Sequence, residues 1–291
     1  MKTRRKKQRH KTGQARALHG RWGMRLFFAL LVFLIAPARA ADLPRVVSLN
    51  LCADAYLMAF ADKAQVLALT PQSRDASLSA FHAAAQHYPI SDGQIESIAA
   101  LDPDLVIVSS YSDPMRNRLI AQLGYEVLVM DAADNYAAAR ASINLLGAAI
   151  GREEAARDYG AELDAEMAAL VPSRRQARIL PLQRRNLTAG RGHIIDEIIS
   201  RAGGFNLGAA NSPDMMSRVS LEGTLISDAE YILLNEDMAR PDSRGMEFLT
   251  HPALRAAYPP AKRLTIDNNL LVCAGATTPR AVKKLIDQLG D

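Results

Sequence analysis

The sequence predicts an α/β protein whose chain folds as two similar lobes joined by a single long α-helix, and three observations predict it. Short apolar runs alternate with amphipathic stretches on both sides of the chain's middle, the pattern of parallel strands linked by crossover helices. The segment QIESIAALDPDLVIVSS, residues 94–110, returns as SLEGTLISDAEYILLN, residues 220–235, at an offset of 126. Between the two copies, residues 134–171 are Ala-rich with Leu, Ile and Met at helical spacing, and the stretch closes at Val171-Pro172.

In chain order, RVVSLN after Pro44 suits a buried strand and CADAYLMAFAD a helix. QVLALT and LDPDLVIVSS read as strands, SDPMRNRLIAQLG as a helix opening before Pro114, and YEVLVMD as a further strand. Residues 134–171 read as one helix, although Gly147 and Gly151 each cost up to about 1 kcal/mol against Ala there. Past Pro172 the alternation resumes with ARILPLQRRNLTAG, the helix HIIDEIISRAG, the repeated element and the helix MEFLTHPALRAAY. Strand-like KRLTID and LLVCAG follow, then a last helix from Pro279 to Leu289. The expected boundaries are a leader over 1–40, a first Rossmann-like lobe over 41–133, the linking helix over 134–171 and a second lobe over 172–291. In the repeat, Glu96 matches Glu222, Asp102 matches Asp228, Asp104 matches Glu230, and Leu105–Val108 matches Tyr231–Leu234.

The leader has the layout of an export signal. A basic stretch precedes eleven apolar residues, Leu26 to Ala36, and Ala38-Arg39-Ala40 offers a cleavage site before Ala41. Eleven residues are too few to cross a bilayer, so the expectation is a periplasmic protein; Met1 and Met24 both remain possible starts. Residues 1–40 carry 11 Lys and Arg and no Asp or Glu, leaving 24 basic against 31 acidic side chains, a net charge of −7 in place of +4. The basic balance therefore belongs to the leader, and a nucleic-acid role loses its electrostatic support. About 250 remaining residues suffice for a large core without cross-links. Two cysteines, Cys52 and Cys273, rule out a disulfide-rich scaffold. Free thiols, one bridge and a ligand role all stay open; a bridge would tether the two lobes.

The run Pro44 to Asp54, the ESIAALDPDLVIVSS segment, the mid-chain helix, and the AGRGHIIDEIISRAGGFN and SLEGTLISDAEYILL segments together resemble the periplasmic substrate-binding proteins of ABC importers for ferric siderophores, haem and cobalamin. The resemblance spans essentially the whole chain after the leader. One departure is at Pro44-Arg45-Val46, which lacks one of the basic residues frequent there. It implies a rigid helical spine, a ligand cleft between the lobes, a metal chelate as cargo with no resident cofactor or catalysis, and a monomer. It also implies docking to an ABC permease dimer, whose arginines meet one glutamate per lobe, here Glu96 and Glu222. Exposed carboxylates on rigid elements suit that task; the plainer role for each is to favour its own helix start.

Candidate ligand contacts follow strands or sit in loops: Asn50 and Cys52 after the first strand, Arg74 after the second, Tyr111 after LVIVSS, and Arg191, His193, Met216 and Arg218 in the second lobe. Arginines would hold an anionic chelate; Tyr111 would contact the ligand or ligate haem iron. GRGHII lacks a third glycine at Ile195, so no dinucleotide fingerprint is complete. Only His82, His87, His193 and His251 follow the leader, too few and too scattered for a bare-metal binder. The sole tryptophan, Trp22, lies in the leader, which weakens an aromatic clamp on a corrin or haem. A ferric siderophore is thus the first expectation, cobalamin the second and haem the third. An enzyme using Cys52 as nucleophile and His193 as base is the alternative, with no nucleophile signature around Cys52 to support it.

Overall fold

The computed structural model describes residues 43–235 and 247–290. The export signal read over 1–40 lies outside them. The first lobe contains, in order, β1 (Val46–Ser48), α1 (Leu51–Phe60), β2 (Val66–Ala68), α2 (His82–Ala85), α3 (Ile95–Leu101), β3 (Leu105–Val108), α4 (Pro114–Gln122) and β4 (Glu126–Val129). Two helices follow, α5 (Tyr136–Ala149) and α6 (Glu153–Ala168). The second lobe contains β5 (Arg178–Pro181), β6 (Leu187–Ala189), α7 (Ile194–Arg201), β7 (Phe205–Asn206), α8 (Leu207–Asn211), β8 (Met216–Arg218), α9 (Leu221–Leu225) and β9 (Tyr231–Asn235). It ends with α10 (Pro252–Ala257), β10 (Arg263–Ile266), α11 (Asn268–Leu271) and α12 (Thr278–Leu289).

Each lobe has its own four-stranded parallel sheet, ordered β2-β1-β3-β4 in the first and β7-β5-β9-β10 in the second. The two orders are the same when each lobe's strands are counted from its own start, so the duplication seen in the repeat extends to the whole sheet. Helices cover both faces. On β3, Leu105 and Ile107 enter the core that includes Tyr56, Leu57 and Ile143, while Val106 and Val108 pack with Ile98 and Ile120 on the other side. On β9, Leu233 and Ile232 divide between two clusters in the same way. A strand buried on both faces reads as a continuous apolar run, which is why these strands were legible.

A matched ion-pair clasp fixes each repeat. Arg45, just before β1, bonds Asp102 at 3.2 Å and Asp104 at 3.4 Å. Arg178, the first residue of β5, bonds Asp228 at 3.0 Å and Glu230 at 3.7 Å. Reciprocal backbone bonds accompany them, from Asp104 N to Arg45 O and from Glu230 N to Arg178 O, both 2.9 Å. Each arginine therefore ties the entry of a central strand to the entry of its neighbour.

The single linking helix is corrected to a helical hairpin. Gly151 adopts φ +67°, and the bonds Arg152 N to Gly147 O and Gly151 N to Ala148 O close α5 with a left-handed cap. The chain then turns back: Tyr136 at the start of α5 donates to Asp164 near the end of α6 at 2.9 Å, and Arg140 pairs with the same carboxylate. Gly147 lets the helices touch, since a Cβ there would lie 2.3 Å from that of Ala156. The span between lobes falls to α6, which packs on α1 and on α12. LLVCAG is likewise not a strand; it finishes α11 and becomes the loop that carries Cys273.

Candidate functional site

In a sheet of order 2-1-3-4 the chain leaves the first strand in one direction and returns on the other side, and the crevice beyond the strand ends at that reversal is the natural ligand site. Each lobe has a cavity there. In the first lobe, about 330 Å³ is lined by Asn50 and Cys52 after β1, Ser109 and Tyr111 after β3, and Thr70, Gln72 and Val272. In the second, about 210 Å³ is lined by Leu182 and Gln183 after β5, Leu234 and Asn235 on β9, and His193, Asn268 and Val272. Val272 borders both. A third cavity of about 390 Å³ shares Gln183, Asn235 and Asn268 with the second and adds Arg184, Arg185 and the first lobe's Leu78. Together they form one cleft between the lobes.

The first-lobe wall is held rigid by short polar bonds. Asn50 caps α1: its Oδ1 accepts from Cys52 N and Ala53 N, and its Nδ2 donates to Met130 O. The turn that presents Tyr111 is braced by Asp131, which accepts from Ser110 N at 2.8 Å. Hydrogen bonds from Ser110 hold the Asp131 carboxyl below the usual carboxylate range. Tyr111 itself is 85% exposed at the cavity rim. Beneath this wall, Asp54 is fully buried and accepts from Thr70 N and Oγ1, and its Oδ1 has no partner among the described residues. Burial pushes its carboxyl up to about 7, against the opposing pull of the Ser48 and Thr70 hydroxyls.

On the second-lobe wall, His193 caps α7: its Nδ1 accepts from Ile195 N at 3.1 Å. Burial holds the imidazole below the usual histidine range, and the bond accepted at Nδ1 leaves Nε2 as the ring's donor. Arg185 and Asn186 sit at φ +60° and +61° in the tight turn between β5 and β6, and the Arg218 Nη1 donates to Arg185 O at 3.1 Å. Non-glycine residues in the left-handed region carry strain that gathers at functional loops.

Asn50, Cys52 and Tyr111 line the first-lobe cavity and His193 the second-lobe one. Arg218 reaches the cleft only through the Arg185 turn. Arg74 is turned away, donating to Ala85 O and Tyr88 O; Met216 packs on the main core; Arg191 is exposed and borders none of the three cavities. The cleft's cations are Arg184 and Arg185 instead, and its amides Gln183, Asn235 and Asn268. Their signal was positional: Gln183 and Asn235 stand at the carboxyl ends of the second lobe's two central strands. Cys52 and Cys273 form a disulfide with Cα atoms 5.2 Å apart. That removes the thiol an enzyme would need at Cys52 and settles the three-way alternative for the pair.

Glu96 and Glu222 lie in the first turns of α3 and α9. Both are exposed, and neither makes an ion pair or side-chain hydrogen bond with a described residue.

Comparison with known proteins agrees with this architecture. No curated relative matches the sequence significantly. Among solved structures, the chain is similar to the periplasmic haem-binding protein HutB of Vibrio cholerae, with 17% identity over 85% of this chain and 99% of that one and a TM-score of 0.67. BhuT, a periplasmic haem-binding protein solved with two haems, gives 20% identity, the same coverages and 0.65. The vitamin B12-binding protein BtuF of Vibrio cholerae gives 21% over 85% and 96%, at 0.56. At these identities the likeness establishes the fold. The family model for periplasmic binding proteins matches residues 46–258, most of the described chain, and the chain belongs to that family.

Proposed function

We propose that this chain captures a metal chelate in the cleft and delivers it to an ABC permease that grips Glu96 and Glu222. Proteins of this family work in the periplasm and hand chelates to such permeases; the leader over 1–40 supplies the export step. The observation that carries the reading is the pair of cavities, one at each sheet's reversal point, that meet at Val272. An anionic cargo is supported by Arg184 and Arg185 on the second-lobe side, which keeps a ferric siderophore in view on residues other than those first expected. Haem stands beside it on a specific observation: the exposed Tyr111 phenol at the first-lobe cavity is an oxygen ligand of the kind that holds ferric haem, and HutB and BhuT, which share this fold, are haem binders. Cobalamin is the third candidate.

Native mass spectrometry of residues 41–291, purified without refolding and titrated with ferric siderophores, cobalamin and haemin, tests the proposal. A stoichiometric adduct with one of them supports it and names the cargo. If haemin binds, Tyr111→Phe shifts the visible spectrum where the phenolate ligates iron. A folded protein that takes up none of the three overturns the chelate reading.

A further inference from the structure

One group of contacts between the lobes starts at the cleft wall and runs back behind it. The second lobe's segment from α11 to the start of α12 lies along the first lobe's residues 74–81 and the face of α1. Asn268 Nδ2 donates to Ser77 O at 2.8 Å and Asn269 Nδ2 to Ala76 O at 2.9 Å. The buried Tyr56 hydroxyl donates to Ala274 O at 2.8 Å, and the Arg280 guanidinium stands 5.1 Å over the Phe81 ring. A Cβ on Gly275 would lie 2.8 Å from Ala139 and from the Tyr56 hydroxyl, so the segment sits as close as backbone can come. In the middle of this seam is the disulfide Cys52–Cys273, joining residues 221 positions apart. Cys52 is also a wall of the first-lobe cavity, and Val272, next to Cys273, borders the cavities of both lobes.

The geometry points to a covalent latch: the Cys52–Cys273 bridge holds the seam closed at the cleft floor, so that lobe separation is confined to the outer rim. The polar contacts alone are a set of neutral hydrogen bonds, each worth little once water can replace it, whereas the covalent bond cannot be opened by thermal motion. A tether of this kind does not oppose cargo release. It removes one of the two ways the lobes can part, and leaves the rim, where Tyr111 and the Arg185 turn stand, as the path in and out. The latch holds whatever the cargo is.

A disulfide also restricts the unfolded chain, and the test separates the two effects. Amide hydrogen exchange of the ligand-free protein is compared between wild type and C52S/C273S, reading Ser79, Val272 and Thr278 in the seam against Val106 in β3 and Leu233 in β9. A latch predicts that the seam amides exchange at least ten-fold faster relative to the strand amides in the double variant. In N268A/N269A, with the bridge intact, that ratio stays within about three-fold of wild type. If seam and strand amides accelerate together in C52S/C273S, the bridge acts on the unfolded chain alone and the latch is overturned. It is overturned equally if N268A/N269A frees the seam while C52S/C273S does not. Should the cysteine variant fail to fold, wild-type protein reduced with a dithiol under native conditions is read by the same ratio.

Discussion

The two lobes share a scaffold and differ at their strand ends. Strand order, the buried central strands and the Arg clasp are the same in both. The loops beyond the strands are not: the first lobe offers Asn50, Ser109 and Tyr111 with the buried Asp54 beneath them, the second offers His193, Gln183, Asn235 and the strained Arg185 turn. The outer edges diverge as well, since the exposed Leu225 and Ile226 follow Glu222 where Ala99 and Ala100 follow Glu96. Packing constraints preserve what lies inside the sheet, while loop residues are free to specialise. The two walls therefore differ in chemistry although the sheets behind them match.

The largest predicted effect tests whether the matched glutamates share one task. E96K/E222K abolishes chelate uptake in a transport assay and leaves cargo affinity within about two-fold, because neither carboxylate borders the cleft cavities. Loss of affinity instead would assign them to the fold. The single reversals sharpen the comparison: equal losses mean equal docking, and a larger loss for E222K means that Leu225 and Ile226 add to the second lobe's grip.

Two glycines make the same contrast in stability. Gly124 follows α4 before the edge strand β4, and Gly203 follows α7 before the edge strand β7; their φ values are +93° and +86°. An alanine at 124 meets nothing within 4 Å, whereas at 203 its Cβ would lie 2.1 Å from the Ser173 carbonyl oxygen. G124A therefore costs about 1 kcal/mol of backbone strain, and G203A about 2 to 4 kcal/mol once overpacking against a backbone atom is added. Urea denaturation of both variants checks the order; equal costs would mean that the Ser173 segment yields freely.

A buried acid in one lobe and a half-buried histidine in the other give pH slopes of opposite sign. Asp54 has its carboxyl raised from 3.8 to about 7, so between those values the folded state holds a proton that the unfolded state has lost. Its contribution to stability is full in acid and falls as pH rises through that window, by about 4 kcal/mol at most. His193 is lowered by burial, so its contribution is full at neutral pH and falls as pH drops through the ordinary histidine value of about 6.5. Denaturation at pH 5, 6.5 and 8 should show D54N gaining over wild type at pH 8 and H193Q gaining at pH 5. A D54N variant with no advantage at pH 8 would mean that water reaches the Asp54 carboxyl.

Much of the scaffold was legible because its signals are local. An apolar run such as LVIV states its own burial, and the repeat states its own partner. The hairpin between α5 and α6 was half legible: Gly151 is in plain view, but a glycine inside a helical pattern breaks it only when the next residues can turn back and pack, and that depends on Gly147 facing Ala156. The disulfide was not legible, since a Cα separation of 5.2 Å between residues 221 apart is a property of the assembled lobes. Position after a strand did not by itself mark which side chains border the cavities. Tyr111 and His193 border the cavities, whereas Arg74, also placed after a strand, and Arg191 do not, because a long side chain in a loop finds the nearest carbonyls or water as readily as a ligand.

The smallest effect is the one that examines the duplication most directly. The clasps at Arg45 and Arg178 are alike in geometry and in exposure, 43% and 47% for the arginine side chains, and so should be alike in energy. Solvent screening limits exposed pairs to about 1 kcal/mol or less, and each clasp carries two, so R45A and R178A should each lower stability by about 1 kcal/mol, with most of the loss disappearing in 1 M salt. If one substitution costs several times the other, the clasps have diverged in what they support even though their contacts have not. The lobe with the larger cost would then be the one whose strand entry is held by the arginine, while in the other the buried faces of the sheet suffice.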